Sequence, residues 1–191
     1  MLRRSLKSCL EDVFLRLSNT RVMKYILLLC SIFYSFWLSA QGQAVQVRGD
    51  FALKNVHTGK YVRIEDANGA DGTPIVAYSP ENWKCVTWEF APSAGGGYTL
   101  KNLLSGKTLQ PLKGESKPGV SLEERPFDTR QPQEYELVAV DKEKYRIRLK
   151  GTDLFVTPSD PGGGTNTAIL LQPQQAGDLQ EWVLIEQHPT M

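Results

Sequence analysis

The sequence predicts an all-β domain, a closed barrel built from three ungapped copies of one four-stranded, 47-residue unit with threefold pseudosymmetry. Three observations predict it. The phrase "FALKNVHTGKYV" at 51–62 returns as "YTLKNLLSGKTL" at 98–109 and as "YRIRLKGTDLFV" at 145–156. Apolar residues hold the same register through all three copies. No segment shows a helical hydrophobic period, whereas apolar residues at alternate positions mark half-buried strands.

The first element, residues 1–44, reads as a leader. Tyr25 to Leu38 is a 14-residue apolar run, shorter than the ~20 residues of a membrane span. Arg21 and Lys24 precede it and the small residues of "SAQGQA" follow. This is the layout of a secretory signal peptide cleaved between Ala40 and Ala44, with Met23 as an alternative start. The leader holds six of the 22 Lys/Arg and two of the 21 Asp/Glu, so the remainder carries 16 against 19 and a net charge of −3. Interspersed charges of that kind give no electrostatic footprint for nucleic acid or for an anionic membrane. Cys85 is the only cysteine after the leader, so no internal disulfide is expected, and the domain rests on its core. His57 and His188 stand too far from Cys85 in sequence to form a metal-ligand spacing or a nucleophile–base motif. Neither a cofactor nor a metal is expected.

The remaining residues, 45–191, divide into copies at 51–97, 98–144 and 145–191. Six columns align: Phe51, Tyr98 and Tyr145; Leu53, Leu100 and Ile147; Val62, Leu109 and Val156; Ile75, Leu122 and Ile169; Trp88, Tyr135 and Trp182; Phe90, Leu137 and Leu184. In the first copy the strands fall near 51–55, 60–64, 74–78 and 86–90. Gly59 and Gly106 sit in the tight turn between the first two strands, where a positive φ is needed. The third copy has Asp153 there and Gly151 two residues earlier, so that turn should differ. The "GGG" runs at 95–97 and 162–164 are loops, without the strand-before, helix-after setting of a phosphate cradle. Propellers typically need four or more blades, so three copies close instead into one barrel around a shared core. No copy should be stable alone.

The motif "QEW" at 180–182, its variant "QEY" at 133–135 and the degenerate "VTW" at 86–88 resemble the Gln-x-Trp signature of ricin-type β-trefoil lectin domains. The "KNLLSGK" phrase is similar to that family too, and the resemblance covers 49–187. It implies a β-trefoil and a carbohydrate-binding (lectin-like) module. The family's galactose sites use an Asp in the second strand, an aromatic platform ending the third, and a polar residue beside the Gln-x-Trp. Here those positions hold Arg63, Gln110 and Thr157; Tyr78, Arg125 and Gln172; and Cys85, Pro132 and Leu179. The galactose site is therefore eroded.

A displaced site is expected in the first repeat. An aromatic ring packs on the C–H face of a sugar while polar groups meet its hydroxyls. The loop "EDANGADG" offers Glu65, Asp66 and Asn68, Tyr78 closes the third strand, and Trp83 follows in "SPENWK". Asp66, Asn68, Tyr78 and Trp83 are the candidate carbohydrate-binding residues. Each has a plainer reading: Trp83 folded over the barrel rim, Tyr78 as a strand residue, Asp66 and Asn68 as turn formers. Glycosidases need two carboxylates about 5–10 Å apart across a cleft, and no such pair stands out, so no enzyme is expected. The expected partner is a polysaccharide or glycan, bound weakly, by a secreted or periplasmic protein. The alternative is a protein-binding trefoil, such as a protease inhibitor, since fold does not choose between these uses.

Overall fold

A computed structural model describes residues 47–190. The expected leader, with its signal peptide and the alternative start at Met23, lies outside the described residues. Twelve strands follow in four-strand sets. The first repeat contains β1 (Asp50–Asn55), β2 (Tyr61–Ile64), β3 (Ile75–Tyr78) and β4 (Thr87–Pro92). The second contains β5 (Tyr98–Asn102), β6 (Thr108–Pro111), β7 (Leu122–Arg125) and β8 (Tyr135–Ala139). The third contains β9 (Lys144–Leu149), β10 (Leu154–Pro158), β11 (Thr167–Pro173) and β12 (Trp182–Glu186). Among the described residues the only helical segments are 3-10 turns of three residues.

The first and fourth strands of each repeat form the barrel. β1 pairs with β4 and β12, β4 with β5, β5 with β8, β8 with β9, and β9 with β12, all antiparallel, which closes a six-stranded ring. Closure leaves no barrel edge unpaired. The second and third strands form three hairpins, β2–β3, β6–β7 and β10–β11. These join one another through Thr167 and Ala77, Pro74 and Glu123, and Ser121 and Leu170. The result is a β-trefoil.

The apolar columns explain the closure. The Leu53, Val62, Ile75 and Trp88 columns are buried in all three repeats. Phe51, Leu137 and Leu184 are only partly buried, so the two outer columns are less uniform. Each large buried side chain contributes about 2–3 kcal/mol by leaving water.

Polar contacts repeat as well. Asn55 Nδ2 donates to the carbonyls of Leu179 (2.8 Å) and Glu181 (3.2 Å), and Asn102 Nδ2 to those of Cys85 (3.1 Å) and Thr87 (3.4 Å). Each Asn thus ties the start of one repeat to the end of the preceding one. Gly59 (φ 68°) and Gly106 (φ 70°) complete the turns that follow. In the third repeat Leu149 replaces the Asn, and the left-handed residue moves to Gly151 (φ 75°), so the turn differs as expected.

Candidate functional site

In the first repeat the hairpin β2–β3 places Arg63 and Tyr78 side by side. The Arg63 guanidinium carbon stands 3.7 Å from the centre of the Tyr78 ring, a cation–π contact. Arg63 Nη2 also reaches Asp66 Oδ1 at 3.3 Å. Trp83 follows Tyr78 with ring centres 6.3 Å apart and planes tilted by 38°. Three of the four sequence-derived candidates, Asp66, Tyr78 and Trp83, therefore gather around Arg63.

Asn68 is turned elsewhere. Its Oδ1 accepts from the amide of Ala70 at 3.1 Å, closing its own loop. Asp66 adopts a left-handed conformation (φ 52°) and is well exposed, as a turn residue with a free carboxylate face. Trp83 combines both readings of that residue: it packs against the core, yet remains only partly buried. Arg63 occupies the position of the family's Asp and covers one face of Tyr78. A sugar at this place could use only the opposite face of that ring, or Trp83.

The loop carrying Trp83 is braced from far away. Thr87 Oγ1 donates to Trp83 O (2.8 Å) and lies 2.8 Å from Gln187 Oε1, while Gln187 Nε2 donates to Glu81 O (3.0 Å). In the other two repeats the Gln of the Gln-x-Trp motif does this work locally. Gln133 Oε1 accepts from the amide of Asp128 (2.8 Å), and its Nε2 donates to Gln110 Oε1 (2.7 Å) and Pro126 O (3.1 Å). Gln180 accepts from the amide of Gln175 (2.8 Å) and donates to Thr157 Oγ1 (3.0 Å) and Pro173 O (2.9 Å). These glutamines are buried clamps on the loop before the last strand. With Val86 in the corresponding place, the first repeat borrows Gln187 instead.

Residues 84–173 match the model of the family described as "Ricin-type beta-trefoil lectin domain-like". Over that stretch, less than half of the chain, the β-trefoil is similar to the ricin-type lectin-like family. No curated protein matches the sequence. Among solved structures the trefoil is similar to the designed threefold-symmetric protein ThreeFoil, at 21% identity and TM-score 0.69, over 72% of this chain and 99% of that one. It is similar to the Rhizoctonia solani agglutinin at 22% identity and TM-score 0.67, over 74% and 96% of the respective chains. It is also similar to the Macrolepiota procera ricin B-like lectin, solved in complex with lactose, at 19% identity and TM-score 0.62, over 74% and 99%. Identities at this level establish the shared fold.

Within this trefoil the second repeat holds a recess lined in part by Gln110 and Arg125. A cavity of about 720 Å³ opens beside β6–β7 and the loop after β7. Its floor is Glu123, almost fully buried. Glu123 Oε1 accepts from Gln110 Nε2 (3.0 Å), the Lys113 amide (3.0 Å) and Arg125 Nε (3.2 Å). On the rim Asp128 is bridged by Arg130 through Nε (3.0 Å) and Nη2 (2.8 Å). Those bonds hold the Asp128 carboxyl at about 2, well below the usual range. Phe127 stands at the mouth, 55% exposed. By family position Gln110 stands here as a lost Asp and Arg125 as a lost platform. The available signal was an aromatic in a polar loop, "RPFDTR", the same signal that singles out Trp83. Among the described residues no group of three His, Cys, Asp or Glu is placed to hold a metal ion.

Proposed function

We propose that the protein is an exported, non-catalytic glycan-binding module whose first repeat carries a displaced sugar site around Tyr78 and Trp83. The observation that carries the reading is the match of residues 84–173 to the ricin-type lectin-like family. The first-repeat geometry supports the location. Two partly exposed rings lie 6.3 Å apart, offering a surface for the C–H face of a sugar. The exposed Asp66 carboxylate beside them accepts hydrogen bonds from hydroxyls. Such a surface buries little of a ligand, so affinity per site is weak. Export rests on the basic flank, short apolar run and small residues of 1–44.

The test is retention on insoluble polysaccharides together with a printed glycan array, using wild type, Tyr78→Ala and Trp83→Ala. Retention of the wild type, weakened in both variants, supports the reading. Full retention by both variants contradicts the location. Retention on no glycan, with inhibition of one member of a protease panel, moves the assignment to a protein-binding trefoil.

A further inference from the structure

The loop between β2 and β3 carries the dipeptide Asn68–Gly69, the one place in the sequence where Gly follows Asn. Both residues are exposed. The pairing has a chemistry of its own. A backbone nitrogen can attack the side-chain carbonyl of the Asn before it, and Gly has no Cβ to hinder the approach. Asn68 Oδ1 accepts from the Ala70 amide at 3.1 Å, which polarises the carbonyl and fixes the side chain beside its own backbone. Asn55, Asn82, Asn102 and Asn166 are instead followed by Val, Trp, Leu and Thr.

We propose that Asn68–Gly69 is a self-modifying site, at which Asn68 converts to aspartate and isoaspartate at a rate set by Lys107. The Gly69 nitrogen bonds to Asn68 Cγ, the Cγ–Nδ2 bond breaks, and the proton of the Gly69 amide leaves with Nδ2 as ammonia. One water then opens the five-membered imide. Cleavage between Gly69 N and Cγ gives aspartate. Cleavage between Gly69 N and the main-chain carbonyl gives isoaspartate, with the chain running through Cγ. The sum is amide plus water to acid plus ammonia, and nothing is oxidised or reduced.

The backbone holds this reaction back. Asn68 has φ −86° and ψ 108°, which turns the Gly69 nitrogen away from Asn68 Cβ and out of reach of the side-chain carbon. Ring closure requires the peptide plane between 68 and 69 to turn over. Lys107, in the β5–β6 turn of the second repeat, opposes that movement. Its Nζ donates to the Gly69 carbonyl at 2.5 Å and pairs with Asp71 Oδ1 at 2.5 Å. The loop is tied at both ends as well, by Asn68 N to Glu65 O (3.0 Å) and Gly72 N to Glu124 O (2.9 Å). Either product puts a fourth carboxylate beside Glu65, Asp66 and Asp71. Isoaspartate also lengthens the backbone by one methylene, which breaks the Asn68–Ala70 turn. Asp66, paired with Arg63 at 3.3 Å, is two residues away, so the modification alters the loop that flanks Tyr78, whatever ligand that loop meets.

The full-length protein is aged at mildly alkaline pH and its peptides are mapped by mass spectrometry, with aspartyl and isoaspartyl forms separated by chromatography. Lys107→Ala and Gly69→Ala run beside the wild type, each with a melting curve, and wild type in urea supplies the rate of the free loop. A Cβ at Gly69 meets Ser105 Cβ at 3.4 Å, an ordinary contact, so Gly69→Ala should fold. The expected result is conversion first at position 68, about tenfold slower in the folded wild type than in urea. Loss of the Lys107 bonds should restore about that tenfold, and Gly69→Ala should suppress conversion even in urea. A folded rate equal to the urea rate, or Lys107→Ala converting no faster than the folded wild type, would overturn the proposal. So would conversion at Asn55 or Asn102 ahead of Asn68, or none at Asn68 under any condition. If Lys107→Ala does not fold, the comparison of folded wild type with urea decides alone.

Discussion

Trp182 donates its indole N–H to the carbonyl of Val156 at 3.0 Å, and Trp88 does the same to Val62 at 3.0 Å. Both rings are buried in the core, and both bonds tie a barrel strand to the neighbouring hairpin of its own repeat. The two residues of one symmetry column thus share a burial and a bond. Trp182→Ala should cost about 3–5 kcal/mol by leaving a large cavity, and this bond is lost with it. Denaturant unfolding measures the change. An unshifted midpoint would place that ring outside the shared core.

The third member of that column behaves differently. Tyr135 is fully buried, but its hydroxyl finds no hydrogen-bond partner. A buried unpaired hydroxyl is a cost, so Tyr135→Phe should be neutral or stabilising by about 1–2 kcal/mol. Melting curves of the two proteins decide it. A loss of more than 1 kcal/mol would mean that the hydroxyl is satisfied in solution.

Glu124 stands in the core column otherwise filled by Ala77 and Leu171 and is fully buried. Ser105 Oγ donates to its Oε2 at 2.5 Å, while Oε1 is unpaired. Burial pushes its carboxyl upward, partly opposed by Ser105 and Lys107. A raised folded value means that the neutral form is favoured by folding. Its contribution is complete below the ordinary Glu value of about 4.3 and is lost as pH rises through the raised value. Glu124→Gln should therefore raise stability at neutral pH by about 1 kcal/mol, or roughly 2–4 °C. The gain should vanish at low pH. A variant equally stabilised at both ends would break the link to ionisation.

Gln187 is the remote brace of the Trp83 loop. Gln187→Ala removes the acceptor beside Thr87 and the donor to Glu81, which should cost about 1–2 kcal/mol. Amide exchange at Val86, whose N–H bonds to Trp83 O at 3.1 Å, should quicken more than exchange at Leu100 in the barrel. Unchanged exchange at Val86 would show the loop to be self-supporting.

The fold was legible because burial writes itself into sequence three times over. Leu53, Leu100 and Ile147 must all be apolar to meet at one centre, and repetition separates that demand from chance. Gly59 and Gly106 mark their turns because the left-handed backbone excludes most other residues. The candidate sites were less legible. Arg63 reads in sequence as a lost Asp, and only the folded chain shows it stacked on Tyr78 and paired with Asp66. Gln187 carries no local sign of its role, since it acts on residues about a hundred positions earlier. Phe127 was visible as an aromatic in a polar loop, but the recess beside it comes from hairpin packing, which no linear pattern records.

The central claim is that this trefoil binds glycans on its hairpin and loop surface. It is tested most directly by recording amide NMR shifts while adding soluble glucan, xylan, mannan and galactan oligosaccharides to the full-length protein. The expected result is saturable shifts for at least one of these sugars, confined to 63–68 and 78–86. An absence of shifts with all four, or shifts gathered instead on the barrel strands remote from these loops, would contradict the account.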